Sequence, residues 1–118
     1  MAKKILIIDD DPNIVQYMEN LFRDNGYEPL SASDGSEALR MLKEDKPDLI
    51  TLDLDMPDVY GTKFYRTLRK DDAYSEIPVI VVSGITHPER AIKKVVAVFE
   101  KPFDAKELVA AVKNTIGD

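Results

Sequence analysis

The segment Ile5-Leu6-Ile7-Ile8-Asp9-Asp10-Asp11 decides how this chain folds. Four aliphatic residues in a row, bounded by acidic residues, are typical of a strand that is buried on both faces of a parallel sheet. Apolar side chains then recur at helical spacing over residues 13–25, and Gly26 supplies a helix stop. A buried strand that leads into an amphipathic helix predicts an α/β fold.

The same alternation of strand and helix patterns continues along the rest of the chain. Further strands are predicted at residues 27–32, 49–52, 78–82 and 95–99. Further helices are predicted from Asp34 onward, at 61–69, at 88–94 and from Asp104 onward. Five strands alternating with five helices predict a doubly wound parallel sheet that is covered by helices on both faces.

Composition and charge exclude several classes of protein. The 118 residues include no Cys and carry 16 basic against 22 acidic side chains, for a net charge of −6. Without a clustered basic stripe, direct binding to nucleic acid is not expected. No apolar run is long enough to cross a bilayer, and the four apolar residues after Lys4 do not form a signal peptide. We expect a cytoplasmic protein with one domain over residues 1–118, no membrane insertion and no separate output domain.

Acidic side chains follow two of the predicted strands. Asp9 and Asp10 come directly after the first strand, and Asp53 and Asp55 come after the third. In open parallel sheets, ligands bind outside the carboxyl ends of the strands, so carboxylates placed there can converge. Carboxylates that close repel one another and require a cation, which Mg²⁺ or a Lys such as Lys101 could supply.

Two further polar residues make this edge suitable for phosphoryl chemistry. Ser83 stands at the end of the fourth strand, and Lys101 follows the fifth. A carboxylate can act as the nucleophile, a metal ion can neutralise phosphoryl oxygens, and a hydroxyl and an ammonium can bind them. The sequence therefore predicts a phosphoryl-transfer site at the carboxyl edge of the sheet.

Four segments of the sequence stand out together: Ile7-Ile8-Asp9-Asp10, Asp53-Leu54-Asp55-Met56-Pro57 with Gly61, Ile77-Pro78-Val79-Ile80-Val81-Val82-Ser83-Gly84, and Lys101-Pro102-Phe103. With these segments the chain resembles, over its whole length, the receiver domains of two-component response regulators. The resemblance implies a flavodoxin-like fold with strand order 2-1-3-4-5. It also implies a signalling switch that is not an enzyme, apart from catalysing its own phosphorylation and dephosphorylation.

The resemblance assigns a metal-binding role to four residues. Asp10 matches the carboxylate that binds the metal directly, and Asp9 matches the one that acts mostly through a metal-bound water. Asp53 also contacts the metal, and the backbone carbonyl of Asp55 completes the shell. The implied cofactor is Mg²⁺, or Mn²⁺ in its place. For Asp11 we favour capping of the following helix over metal binding.

The resemblance also assigns the phosphoryl chemistry and its partners. Asp53 matches the phosphoacceptor, Ser83 the hydroxyl that bonds the phosphoryl group, and Lys101 the lysine that pairs with the acceptor and then with the phosphate. The implied donor is a sensor histidine kinase or a phosphotransfer protein. The output would be changed binding to a downstream protein that the sequence does not identify.

Two departures from the family pattern affect the expected switch. Ser83 and Lys101 are separated by about one helical turn less than usual, so the fourth helix, at residues 88–94, should be short. Val98 occupies the position of the usual aromatic switch residue. Phe99 is expected to be a core residue instead, because neighbouring strand residues point to opposite faces. Phosphorylation is therefore expected to change the order of residues 84–96.

Other classes of protein were weighed against this interpretation. An adaptor with a receiver fold but no phosphorylation would be expected to lack Asp53, Ser83 or Lys101, and all three are present. A phosphatase with an aspartate nucleophile would carry its Asp-x-Asp motif on the first strand, not at Asp53-x-Asp55 after the third. An EF-hand loop is disfavoured by Pro57 at a ligand position. A flavodoxin-like cofactor site would need a hydroxyl-rich loop after the first strand.

Overall fold

The computed structural model describes residues 2–54, 61–84 and 95–117. The strands are β1 (Lys4–Ile8), β2 (Glu28–Ala32), β3 (Leu49–Leu52), β4 (Val79–Ser83) and β5 (Ala97–Glu100). The helices within these residues are α1 (Pro12–Asp24), α2 (Gly35–Glu44), α3 (Gly61–Lys70) and α4 (Ala105–Ile116). Strand and helix alternate wherever the chain is described, as the sequence pattern predicts.

The five strands form one parallel sheet with the order β2-β1-β3-β4-β5. This order confirms the one implied by the family resemblance. β1 lies between β2 and β3, with Ile5 beside Pro29 on one side and Leu49 on the other. Both edges of β1 are therefore paired, and its side chains pack into a core layer on each face of the sheet, which explains its continuous aliphatic sequence.

The alternation of side chains along the strands divides the core into two layers. One layer lies under α2 and α3, and its buried strand residues are Leu6, Ile8, Ile50, Leu52, Val79 and Val81. The other lies under α1 and α4, and its buried strand residues are Ile5, Ile7, Leu49, Ile80 and Val82. Met18, Phe22, Leu108 and Val112 close the second layer from the helix side. The sheet is thus held rigidly from both faces, and its carboxyl edge is left as the place for a site.

Three helices begin at aspartates that act as N-caps. Asp11 accepts a hydrogen bond from the backbone N of Asn13 at 2.9 Å, which confirms the predicted capping role of Asp11. Asp34 accepts from Glu37 N at 2.8 Å, and Asp104 accepts from the first turn of α4. These caps satisfy backbone donors that have no partner inside the helix.

The limits of β5 differ from those predicted from the sequence. The strand covers Ala97–Glu100 and not residues 95–99. Regular pairing with β4 begins at Ala97, opposite Ile80, although Val96 N already donates to Val79 O at 2.9 Å. Val98 packs against the layer under α2 and α3, while Phe99 packs against the layer under α1 and α4. Phe99 therefore lies on the opposite face from Val98, as predicted, and is partly buried against the core.

The prediction of five helices is not confirmed, because the described residues contain four. The short fourth helix predicted at residues 88–94 lies outside the described residues, together with most of the 84–96 segment. None of the four described helices has the length and hydrophobicity needed to cross a lipid bilayer.

Candidate functional site

Three buried polar side chains lie at the carboxyl edge of the sheet. Asp9 follows β1 and is 2% exposed, Asp53 follows β3 and is 4% exposed, and Ser83 ends β4 fully buried. The backbone amide of Asp53 donates to Ile8 O at 2.9 Å, so the two central strands are still paired where the acidic residues begin. The sheet itself therefore sets the spacing of these side chains.

The carboxylates of Asp9, Asp10 and Asp53 converge as the sequence predicts. Each offers one oxygen, and the three oxygens lie within 4.8 Å of one another. Asp10 is exposed whereas the other two are buried, so the cluster is open on one side. Three hard oxygen ligands without any soft ligand suit a divalent cation such as Mg²⁺. Asp55, the fourth predicted metal contact, lies outside the described residues.

Lys101 supplies the positive charge within this cluster. Its Nζ atom lies 2.7 Å from Asp9 Oδ2 and 3.5 Å from Asp53 Oδ2. Partial burial by itself lowers the pKa of Lys101, but the hydrogen bond to Asp9 and the charges of Asp9 and Asp53 outweigh it. The pKa of Lys101 is therefore raised above its ordinary value. The expected pairing with Asp53 is present, although the contact with Asp9 is the shorter one.

Ser83 orients the Asp53 carboxylate. Its hydroxyl donates a hydrogen bond to Asp53 Oδ1 at 3.0 Å, and both groups are buried. The backbone carbonyl of Ser83 also accepts from Lys101 N at 2.9 Å, which places the start of the Lys101 side chain beside the same carboxylate. Ser83, Lys101 and Asp53 are thus fixed relative to one another by the ends of three adjacent strands.

A cavity of about 210 Å³ opens beside the carboxylates. Its lining includes Asp9 and Asp10 from the end of β1, Ser31 and Ser33 from the end of β2, and Glu37 from α2. The acidic cluster can therefore be reached from outside the protein on the side of β2.

One buried polar residue of this region escaped the sequence-based prediction. Thr51, in β3, is 2% exposed, and its hydroxyl has no hydrogen-bond partner within the described parts of the chain. The available signal was a single hydroxyl in an otherwise aliphatic strand, and a threonine in that setting is also a common strand former.

Comparison with known proteins identifies the family. A family model described as response regulator receiver domain matches residues 5–113. The chain therefore belongs to the receiver domains of two-component systems, a family whose members interact with histidine kinases and bind Mg²⁺ at an acidic site.

Individual relatives agree with this assignment. Protein Rrf1 of Nitratidesulfovibrio vulgaris is 32% identical over 116 residues, which cover 98% of this chain and 84% of Rrf1. The polar-differentiation response regulator DivK of Brucella anthropi is 30% identical over 122 residues, which cover 100% of this chain and 99% of DivK. The structure of chemotaxis protein CheY4 of Vibrio cholerae has a TM-score of 0.87 at 28% identity, covering 98% of this chain and 99% of CheY4.

Other relatives are considerably longer than this chain. The chain spans about half the length of several matched proteins, which are named as DNA-binding or transcriptional regulators. The similarity to those proteins is thus a similarity to one part of each of them.

Proposed function

We propose that this protein is a phospho-accepting switch that receives a phosphoryl group on Asp53 from a histidine kinase or a phosphotransfer protein. The observation that carries the proposal is the convergence of three carboxylates, one ammonium and one hydroxyl at a single edge of the sheet. Each of these groups has a distinct task in transferring a phosphoryl group to a carboxylate.

The transfer step exchanges one bond to phosphorus for another. An oxygen of Asp53 attacks the phosphorus of a phosphohistidine, and the P–N bond breaks as the P–O bond forms. The imidazole nitrogen keeps the electron pair and is protonated, and Asp53 becomes a mixed anhydride. Ser83 and Lys101 are already in contact with Asp53, so they can move to phosphoryl oxygens with small displacements.

Asp9, Asp10 and Asp53 would hold the metal ion. Mg²⁺, or Mn²⁺, would supply positive charge that neutralises phosphoryl oxygens during transfer. The residues present fit such an ion, because three carboxylates face one ammonium and the local balance remains negative.

We propose that the signal leaves the protein as a change in its binding to another protein in the cytoplasm. A strongly acidic chain with a net charge of −6 is suited to protein partners and not to direct contact with nucleic acid. We propose no catalysis beyond phosphorylation and dephosphorylation of the domain itself.

Mass spectrometry of the intact protein tests this function. After incubation with acetyl phosphate and Mg²⁺, we expect the mass of one phosphoryl group to be added. No label should appear when Mg²⁺ is chelated before acetyl phosphate is added. Asp53→Asn should remain unlabelled, whereas Asp24→Asn, the same change on the exposed end of α1, should label normally.

Two outcomes would contradict the proposal. A wild-type protein that takes no label from acetyl phosphate or from any kinase of its host would favour the adaptor with a receiver fold. If Asp53→Asn is labelled as strongly as the wild type and the label maps to another residue, the assignment of Asp53 as the phosphoacceptor is wrong.

A further inference from the structure

Thr51 is the exception in the sheet layer under α1 and α4. Its neighbours in register are Ile7 on β1 and Ile80 on β4, and both belong to the apolar layer. Thr51 is 2% exposed, and its Oγ1 atom has no hydrogen-bond partner within the described parts of the chain. A hydroxyl in this condition loses its bonds to water on folding and gains nothing in return.

A different residue at position 51 would avoid the free-energy cost of burying this hydroxyl. Valine has nearly the same shape as threonine, has a higher affinity for an apolar layer and suits a buried strand equally well. The other fully buried strand positions in this layer are aliphatic, namely Ile5, Ile7, Leu49, Ile80 and Val82. A buried unpaired group in a native structure therefore requires an explanation other than packing.

The position of Thr51 relative to the site suggests why an unpaired hydroxyl is present there. Asp53 lies two residues further along the same chain segment, so its side chain leaves the sheet on the same side as that of Thr51. Residues two apart in a parallel strand are about 6.6 Å apart, so the two short side chains occupy neighbouring positions on that face. Asp53 is at present engaged by Ser83 at Oδ1 and by Lys101 at Oδ2.

We infer that Thr51 is a positioning residue whose hydroxyl donates a hydrogen bond to Asp53 only in the phosphorylated state. This inference rests on the proposed function. When Ser83 and Lys101 move to phosphoryl oxygens, the oxygen of Asp53 that is not bonded to phosphorus keeps its contact with the metal ion but loses a hydrogen-bond donor. Thr51 is the buried hydroxyl two residues before it on the same chain segment. The unpaired hydroxyl destabilises the unphosphorylated state, whereas in the phosphorylated state the hydroxyl has a partner.

Binding of beryllofluoride, a stable mimic of the phosphoryl group, measures this difference. Calorimetric titration at saturating Mg²⁺ should show Thr51→Val binding beryllofluoride about five- to tenfold more weakly than the wild type. Without Mg²⁺ and beryllofluoride, the same variant should unfold at a higher urea concentration than the wild type, because the unpaired hydroxyl is gone.

Two control variants separate the hydroxyl from packing. Thr51→Ser keeps the hydroxyl and removes a methyl group, so it should retain wild-type affinity for beryllofluoride while unfolding at lower urea. Ile80→Val removes a methyl group from the neighbouring position in the same layer and should behave in the same way.

The outcomes distinguish the two proposals. If the wild type is not labelled on Asp53 and does not bind beryllofluoride, the proposed function fails and this inference fails with it. If the wild type binds and Thr51→Val binds equally tightly, only the role of Thr51 is refuted. Weaker binding by Thr51→Ser as well, or lower stability of unmodified Thr51→Val, would also refute that role.

Discussion

At the scale of single residues, the main energetic cost of the site is the burial of negatively charged carboxylates away from water. Asp9 and Asp53 are almost completely buried, and the exposed Asp10 lies beside them. Lys101 is the ammonium that contacts both buried carboxylates. A buried charge that loses its partner is strongly destabilising, so Lys101 contributes to the fold as well as to phosphoryl binding.

Replacing Lys101 by Met should lower the free energy of unfolding by about 2–3 kcal/mol when divalent metal is chelated. The cause is that Asp9 and Asp53 would keep their mutual repulsion without a compensating charge. Urea unfolding in the presence of a chelator measures this loss. Lys101→Arg, which keeps the charge, should lose less. In saturating Mg²⁺ the deficit of Lys101→Met should shrink, and a deficit that is independent of Mg²⁺ would contradict this explanation.

The sequence predicted which residues meet at the carboxyl edge better than it predicted their contacts. Asp9, Asp10, Asp53, Ser83 and Lys101 could all be placed at one edge, because the carboxyl ends of parallel strands share that edge. The preference of Lys101 for Asp9 over Asp53 was not predictable, since it depends on side-chain rotamers. The unpaired hydroxyl of Thr51 was not predictable either, because its burial depends on both neighbouring strands.

At the scale of secondary-structure elements, aspartate caps determine where the helices begin. Asp104 accepts hydrogen bonds from Lys106 N at 2.8 Å and from Glu107 N at 3.2 Å. It stands shortly after Lys101 in the chain, so it fixes the point at which the chain leaves the site and enters α4. The capping pattern was visible in the sequence as Asp104 with Glu107 three residues later.

Replacing Asp104 by Ala should therefore lower the free energy of unfolding by about 1 kcal/mol. The loss of a side-chain acceptor leaves two backbone donors of the first turn without a partner. Thermal or urea unfolding measures the change, and Asp104→Asn, which preserves the acceptor, should stay close to the wild type. Equal losses in the Ala and Asn variants would assign the effect to charge and not to capping.

A second contact between elements makes a prediction about pH. Lys4, at the start of β1, donates a hydrogen bond to Asp45 Oδ1 at 2.5 Å, just after α2 ends. This bond, together with the nearby charges of Asp45, Glu28 and Asp48, raises the pKa of Lys4 above its ordinary value. A raised pKa stabilises the fold at every pH below the ordinary value, and the contribution is lost as the pH rises through the folded-state pKa.

Lys4→Met should therefore unfold at lower urea than the wild type at neutral pH. The difference should shrink as the pH rises above about 10.5, where the unfolded chain loses the charge first, and vanish once the pH has passed the raised pKa of the folded state. Urea midpoints measured across this range provide the test. Lys46→Met, the same change at an exposed residue nearby, should show a smaller difference at neutral pH. A deficit in Lys4→Met that grows with pH would have the wrong sign.

Element boundaries were predictable where the local signal was strong. β3 has the predicted limits, and β1 and α1 agree with prediction to within one residue, because the aliphatic run, Asp11 and Gly26 mark them in the sequence. The start of β5 was placed two residues too early. Val95 and Val96 have high strand propensity, and Val96 N donates to Val79 O at 2.9 Å, but Val96 is 46% exposed and the regular pairing with β4 begins only at Ala97, opposite Ile80. Pairing between strands, and not local preference, decided that boundary.

At the scale of the whole molecule, an acidic chain concentrates part of its charge at one edge of the sheet. The chain has a net charge of −6, and three of its carboxylates meet at a place where one ammonium is available. A cation that binds the folded protein at this place, and does not bind the unfolded chain, stabilises the fold by mass action. The stability of the whole domain should therefore report on the occupancy of the site.

Millimolar Mg²⁺ should raise the free energy of unfolding, by about 1.4 kcal/mol when its concentration is ten times the dissociation constant. Asp10→Asn should abolish this gain while leaving the metal-free protein at least as stable as the wild type, because an exposed carboxylate is removed from a repulsive cluster. Thermal melting with and without Mg²⁺ measures both effects. Asp24→Asn, which makes the same change in charge on α1, should keep the gain. Indifference of the wild-type melting temperature to Mg²⁺ would contradict the metal site.

The position of β1 between β2 and β3 has a consequence for biosynthesis. A ribosome releases β1 before either neighbour, and β3 follows only after α1, β2 and α2 have been made. During that interval the nascent polypeptide holds an aliphatic strand with one unpaired edge, which is a template for association with other chains. Stalling of translation before Leu49 would prolong the exposure of this unpaired edge.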